Sequence, residues 1–451
     1  MRLHNIINGK LRDAQTHRVN GPWEVPTVTN ADVALAIKAM RAGPVLQRAA
    51  VVEALRRIGK KSAWITHEQC DDLARLYRVP AYHLHEIRRR LNSWLSSIDD
   101  YVARVVAMVQ PPSQHMRYDG GIATTVVLAG NDFVIAPHLL THALLAGCRL
   151  VIKASGADPF TPFLFLRALH EEGITTPQLL YMDSSTEVGR KQVATLLHNT
   201  EQSLVIGEDA TVAAVYDNAS LSAIHRKIPH WTGRSGMVIY DDADIAFAAQ
   251  CAIEGATFNS GRSCVSTKKL FCSSVVADEF ERQLVGEAER LRRRPYDDYY
   301  CDIGPQNAEG KALMVGMARS GTLLYDRDLV IARCAPDSPL VTDEYPYPVL
   351  AVVRAPDDQL VALANAAVVT TPSHRALNMA VFTASEHRFE AAAGSLASYK
   401  VIWNGPTQPF AIYDSHQGLF HFQEMMRVKA IAVGRPSMFE LGQPLSRPWP
   451  W

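Results

Sequence analysis

The chain has 451 residues, 47% hydrophobic and 20% charged, which is enough for two or three domains and ordinary for a globular protein. Lys plus Arg and Asp plus Glu each number 46, so the balanced charge supplies no long-range field for nucleic acid or an anionic membrane. The seven cysteines form no CxxC pair and the N-terminus opens no apolar signal region, which points to a soluble protein with free thiols in a reducing, cytoplasmic setting.

Taken in chain order, Thr29-Asn30 can cap a helix whose buried face carries Val33, Ile37 and Met40. A second helix is expected from Leu46 to Lys60 and a third from Thr66 to Tyr77, stopping before Pro80. A fourth fills Pro80 to Val109, until Pro111-Pro112 breaks it. The texture then changes. Strands at Ile122 to Leu128, Arg149 to Lys153, Gln178 to Tyr181 and Ser203 to Ile206 alternate with helices at Ala136 to Leu145, Pro159 to Glu172 and Gly189 to His198. This alternation implies a parallel sheet covered on both faces, a platform suited to a dinucleotide. After Gly233 a strand at Met237 to Tyr240 leads into Asp241-Asp242-Ala243-Asp244, acidic residues suited to a helix N-terminus. The Pro-rich stretch from Ala430 to Trp451 reads as a surface tail.

Two local patterns bear on chemistry. Cys264 lies in a loop with Asn259 and Gly261, where glycine permits a close substrate approach and a thiol with a lowered pKa could act as a nucleophile. An isolated cysteine is more often a small buried residue. His138 and His142 have metal-ligand spacing on a helix, but no adjacent Glu or third ligand accompanies them, so no metal is expected.

The segment Phe258-Asn259-Ser260-Gly261-Arg262-Ser263-Cys264 resembles the nucleophile motif Phe-x-Asn-x-Gly-Gln-x-Cys of the aldehyde dehydrogenase superfamily, with Arg262 in place of Gln. Ile7-Asn8-Gly9-Lys10, Tyr240 to Asp244, Asp302-Ile303-Gly304-Pro305 and Ala380 to Thr383 resemble further family signatures in the family's order. The resemblance implies an α/β fold with a Rossmann-type nicotinamide cofactor domain at 1–105 and 121–229 and an α/β catalytic domain at 230–420. A bridging or oligomerisation element would use 106–120 and 421–451, in a homodimer or homotetramer.

The same resemblance assigns roles. Cys264 would be the nucleophile, and the Asn131 amide with the backbone N–H of Cys264 would hold an oxyanion; such donors are worth roughly 2.7–4 kcal/mol each. Lys153 and Ser155 would contact the adenosine ribose of NAD or NADP. Gly156 replaces the glutamate that grips the ribose 2′-hydroxyl, so NADP becomes at least as plausible as NAD. Gly207 would bring backbone amides to the pyrophosphate, with Glu208 in place of a serine. Glu344 would bind the nicotinamide ribose, with Pro346 replacing its usual Phe companion.

His230 occupies the position of the glutamate that activates water in acid-forming members, 34 residues before Cys264. Branches that pass the acyl group to a thiol commonly lack this glutamate, and a histidine can itself be a general base. The favoured expectation is reduction of an acyl-thioester, on coenzyme A or an acyl carrier protein, to an aldehyde. Oxidation of an aldehyde to an acid is the alternative. A non-catalytic scaffold is a third, motivated by Glu208, Pro346 and a terminal signature reduced to Pro409-Phe410.

Overall fold

The computed structural model describes residues 2–430, apart from residues 13, 15, 21, 63, 109–115, 120, 129, 131, 132, 134 and 409–420. Asn131, Pro409-Phe410 and the tail beyond Ala430 therefore lie outside the described residues.

Two seven-stranded sheets organise the chain. The first contains β1 (Asn5–Ile7), β2 (Lys10–Arg12), β3 (Ala123–Val127), β4 (Arg149–Lys153), β5 (Gln178–Leu180), β6 (Gln202–Ile206) and β7 (Arg226–His230). Their spatial order is β7-β6-β3-β4-β5-β1-β2. The strands from β7 to β5 run parallel, and β1 pairs antiparallel with β5 and β2. From β3 the chain steps outward through β4 and β5, then returns to the other side for β6 and β7. The carboxyl ends of β3 and β6 thus flank a topological switch point, the crevice where open α/β sheets bind ligands.

The second sheet contains β8 (Gly236–Ile239), β9 (Lys269–Ser273), β10 (Thr322–Asp326), β11 (Val330–Arg333), β12 (Val349–Ala355), β13 (Ala376–Phe382) and β14 (Ser398–Trp403). Its order is β10-β11-β12-β9-β8-β13-β14, with β10 alone antiparallel to its neighbour. Every residue of β8, β9 and β13 is buried. Met237, Ile239, Leu270, Cys272 and Phe382 feed one core, while Val238, Phe271, Val353 and Val381 feed another. The period of two along each strand sends side chains to both faces, as a parallel sheet covered by helices requires.

Thr29 caps the helix Asn30–Ala42 in a reciprocal capping box with Asp32. The helix expected from Pro80 to Val109 is instead two: α2 (Ala81–Ser96), which packs on α1 (Arg48–Lys61), and α3 (Ile98–Met108). At the break, Ser97 Oγ donates to Ser93 O at 3.0 Å, a side-chain bond that competes with the helical ladder. Asp99 and Asp100 then sit in the first turn of α3, complementing its dipole. Met116–Asp119 pairs antiparallel with Arg427–Ala430, joining chain segments far apart in sequence. Among the described residues, no helix is long and apolar enough to cross a membrane.

The α1–α2 contact is close because Gly59 has no side chain. A Cβ there would lie 2.4 Å from Ser96 N and 2.7 Å from Leu95 C, both backbone atoms that cannot rotate away. Gly59→Ala is expected to destabilise the fold by about 1–3 kcal/mol, as overpacking does. Thermal denaturation monitored by circular dichroism checks this, and an unchanged or raised melting temperature would contradict the packing argument.

Candidate active site

The helix α4 (Ile245–Thr257) begins at Asp244, whose side chain accepts from Phe247 N at 3.0 Å. It ends in a tight turn in which Asn259, Ser260 and Gly261 all adopt left-handed backbone angles, φ 50°, 52° and 70°. Asparagine and glycine tolerate this conformation. Ser260 is held in it by donating from Oγ to Arg78 O at 2.7 Å. At Gly261 a Cβ would lie 2.6 Å from the backbone of Tyr347 and Pro348. Lys268 Nζ donates to the carbonyls of Gly261 and Tyr347, and Arg262 reaches the carbonyl of Tyr77. The loop is therefore tied down on several sides before it reaches Cys264.

Cys264 is anchored through its own carbonyl, which accepts from Ser235 Oγ at 3.0 Å. The linker from β7 to β8 passes so close that a Cβ on Gly233 would sit 1.7 Å from Cys264 O. Of the seven cysteines, only Cys264 is not buried. Burial pushes Cys70, Cys251 and Cys272 up to about 12, and Cys148 and Cys301 to about 11, which leaves those thiols protonated and inert.

Cys264 opens into a cleft of about 70 Å³ between the two sheets. Gly207 and Glu208 contribute from the carboxyl end of β6, Trp231 and Thr232 from the linker, and Arg262, Glu344 and Pro346 from the second half of the chain. The cleft thus brings together three of the residues expected from the sequence, Cys264, Gly207 and Glu344. Glu208 is exposed and stands at the N-cap of α5 (Asp209–Asp217).

Glu344 is held from below. One of its carboxylate oxygens accepts the backbone N–H of Arg234, whose guanidinium donates to Asp209 Oδ2 at 3.2 Å. Desolvation raises the Glu344 carboxyl, opposed by that N–H and by Lys268 and Lys269. Burial in turn lowers Lys268 to about 8 and Lys269 to about 7. These buried cations escaped the sequence reading. The available signal was Lys268-Lys269 opening an otherwise apolar strand, where exposed surface lysines would be the ordinary interpretation.

Lys153 ends β4, is 8% exposed, and is lowered by burial to about 8. Ser155 Oγ accepts from Ala157 N at 3.1 Å. A Cβ on Gly130 would lie 2.4 Å from that same Oγ, so glycine there lets the loop after β3 approach the loop after β4. Gly156 faces open space, with nothing within 4 Å of a Cβ placed on it. These three expected cofactor residues form a group of their own at the carboxyl end of β4, a strand separated from β6 by β3.

His230 is placed differently from Cys264. It is buried at the end of β7, with Nε2 at 3.2 Å from Glu424 Oε2 and its ring stacked on His421 at 5.0 Å between centroids. Its carbonyl accepts from Gly207 N at 3.3 Å. The adjacent Trp231 and Thr232, and not His230, line the cleft.

The family model described as "Aldehyde dehydrogenase family" matches residues 21–419. A salicylaldehyde dehydrogenase of Pseudomonas sp. (strain C18) is 27% identical over 195 residues, covering 43% of this chain and 40% of that protein. A vanillin dehydrogenase of Pseudomonas fluorescens is 24% identical over 310 residues, covering 65% of this chain and 63% of that protein. The chain thus aligns with less than two thirds of these curated relatives. An indole-3-acetaldehyde dehydrogenase solved with NAD+ superposes with a TM-score of 0.78 at 17% identity, covering 95% of this chain and 96% of that one.

The contact at Gly233 generates a test. Gly233→Ala must push the Cys264 backbone aside, and a displacement of about 1 Å at a reacting group can lower turnover about 100-fold. The variant is expected to keep the circular dichroism spectrum of the parent while its Cys264 is carboxymethylated by iodoacetate at a clearly altered rate. Identical rates would show that the approach does not position the thiol.

Proposed function

Because the chain belongs to the aldehyde dehydrogenase family, we propose that it is a nicotinamide-dependent oxidoreductase that oxidises an aldehyde to a carboxylic acid through a thioester on Cys264. The observation that carries this reading is the seating of the one unburied cysteine in the inter-sheet cleft, opposite Gly207 and beside Glu344. The curated relatives are named for aldehyde oxidation, which favours this direction over the thioester reduction preferred from sequence.

Lys153, Ser155, Gly156, Gly207 and Glu344 would hold the cofactor. The switch point, the closely approaching Gly130 loop and the open space at Gly156 suit a dinucleotide. No carboxylate occupies position 156, so a 2′-phosphate meets no repulsion there, and NADP fits as well as NAD. When bound, the nicotinamide supplies an acceptor for the hydride equivalent that leaves the substrate carbon.

The thiolate of Cys264 adds to the aldehyde carbon, forming a C–S bond and an oxyanion. The backbone N–H of Cys264 and, by resemblance, the Asn131 amide donate to that oxyanion. Loss of the hydride equivalent leaves a thioester on Cys264. Water attacks its carbonyl carbon, the C–S bond breaks, and the acid departs as the thiol is restored. His230 is engaged with Glu424, whereas Glu208 is an exposed carboxylate on the cleft wall. On this reading Glu208 takes the proton from that water.

Thioester reduction is the second reading. Its support is the position of the usual water-activating glutamate, where His230 turns its ring away into a buried cluster. In this direction coenzyme A or a carrier-protein thiol leaves as Cys264 is acylated.

Incubation with an aldehyde panel and NAD+ or NADP+, followed by nicotinamide absorbance and product mass, separates the two. Acid formation that disappears in Cys264→Ala is the expected result. Aldehyde formation from acyl-CoA and reduced cofactor, without acid formation from aldehydes, would replace it by the second reading. Glu208→Gln is expected to slow steady turnover by roughly 100-fold or more while preserving the first-turnover burst; loss of the burst would remove Glu208 from the water-activating role. Lys153 makes a further prediction. Its ammonium form dominates below about 8, so NADP affinity measured by calorimetry should fall as pH rises through that value, and should be flat in Lys153→Met.

A further inference from the structure

The fold assembles a histidine cluster that the chain order conceals. His138 and His142 lie one turn apart on α6 (Ile135–Leu145), and His421 and Glu424 share the short helix α7 (His421–Glu424). These two helices pack together, and His230 arrives from the end of β7. The sequence alone sets the His138 and His142 pair aside for want of a third ligand. The structure supplies three more donors.

We propose that His230, His421 and Glu424 bind a divalent transition-metal ion, Zn2+ by the nature of the ligands, with His138 or His142 as a further donor. Glu424 Oε2 lies 3.2 Å from His230 Nε2 and 3.2 Å from His421 Nδ1. The three ligand atoms all fall within 4.8 Å of one another, and all three residues are buried. Bonds of about 2.0–2.1 Å to a tetrahedral Zn2+ would hold neighbouring donor atoms about 3.3 Å apart. The two distances from Glu424 Oε2 already match that spacing, and the two imidazole nitrogens lie within 4.8 Å of each other.

The surrounding rings match on the same scale. The His421 centroid lies 5.0 Å from that of His230, 5.2 Å from His138 and 5.5 Å from His142. Imidazoles sharing one Zn2+ would have centroids about 5 Å apart, by the same bond lengths. Tyr101 Oη lies 3.2 Å from His142 Nδ1, the type of contact that fixes which ring nitrogen a ligand presents.

The chemistry also favours a cation. Glu424 is 6% exposed and lies against the imidazoles of His230 and His421. A carboxylate in so dry a place is costly unless it is paired, and a divalent ion would pair it. Imidazole and carboxylate donors in a closed setting suit Zn2+. The ion would secure a junction already stitched by backbone contacts, since Gln202 Nε2 donates to Met425 O at 2.8 Å and Arg226 Nη1 to Met426 O at 2.5 Å. It would therefore fix the strand end that leads into Trp231 and Thr232. The inference does not depend on the proposed activity.

The test uses the full chain purified without a polyhistidine tag, loaded with Zn2+ and freed of excess metal by gel filtration. Elemental analysis should find about one Zn2+ per chain, as a single three- or four-ligand site holds. The unfolding temperature should fall when a chelator strips the metal. His421→Ala and Glu424→Gln should lose more affinity than the ~10–100-fold typical of removing a group that only orients a ligand. If a variant does not fold, Co2+ loading of the parent keeps the inference open to refutation: visible bands of tetrahedral, histidine-bound Co2+ are expected. Metal-free folded parent after loading, an aquo-type Co2+ spectrum, or undiminished affinity in both variants would each overturn the site and leave a hydrogen-bonded Glu–His network.

Discussion

The two sheets meet at a contact between backbones. Gly233, in the short linker from the first sheet to the second, runs against the carbonyl of Cys264 at a distance that excludes any Cβ. Ser235 then donates to the same carbonyl. The linker that separates the sheets along the chain is thus what places Cys264 against the carboxyl edge of the first sheet. Trp231 and Thr232 become cleft wall as a consequence. Arg234, with φ 48°, turns to meet both Asp209 and Glu344.

Around that contact, charge is concentrated in a poorly solvated place. Lys268 and Lys269 are buried beneath Glu344, and Arg262 lies beside Cys264 in the cleft. Burial disfavours charge on each lysine, so their cost to stability is tolerated where it does something. Lys268 holds two carbonyls that would otherwise be poorly matched across the turn at Gly261. The arrangement trades stability for a fixed loop, a common feature of sites that must hold a reactive group still.

Much of the fold was legible because periodicity is local. The alternating apolar runs from Ile122 to Ile206 read directly as strands and helices, and the helix cap was visible in Thr29-Asn30. The break at Ser97 was not, because the apolar pattern continues through it and the side-chain bond to Ser93 carries no strong signature. Cys264 was recognisable from its motif. The position of His230 was recognisable too, but the direction of its ring was hidden, since its partner Glu424 lies 194 residues away. The surroundings of the histidine pair on α6 were hidden for the same reason: its neighbours come from distant parts of the chain. Long-range proximity of this kind is set by tertiary packing, which a motif does not encode.

The seat for residues 421–426 has a bearing on how the protein is made. Gln202, Arg226 and His230 belong to the first sheet, yet their partners Met425, Met426 and Glu424 are synthesised 194 to 223 residues later. Domains generally fold as units as the chain emerges. The first sheet must therefore wait, with these polar groups uncovered, while the whole second sheet is built. Its β7 edge is finished only when the late segment docks, which makes that docking a final proofreading of the cleft wall as well as a structural closure.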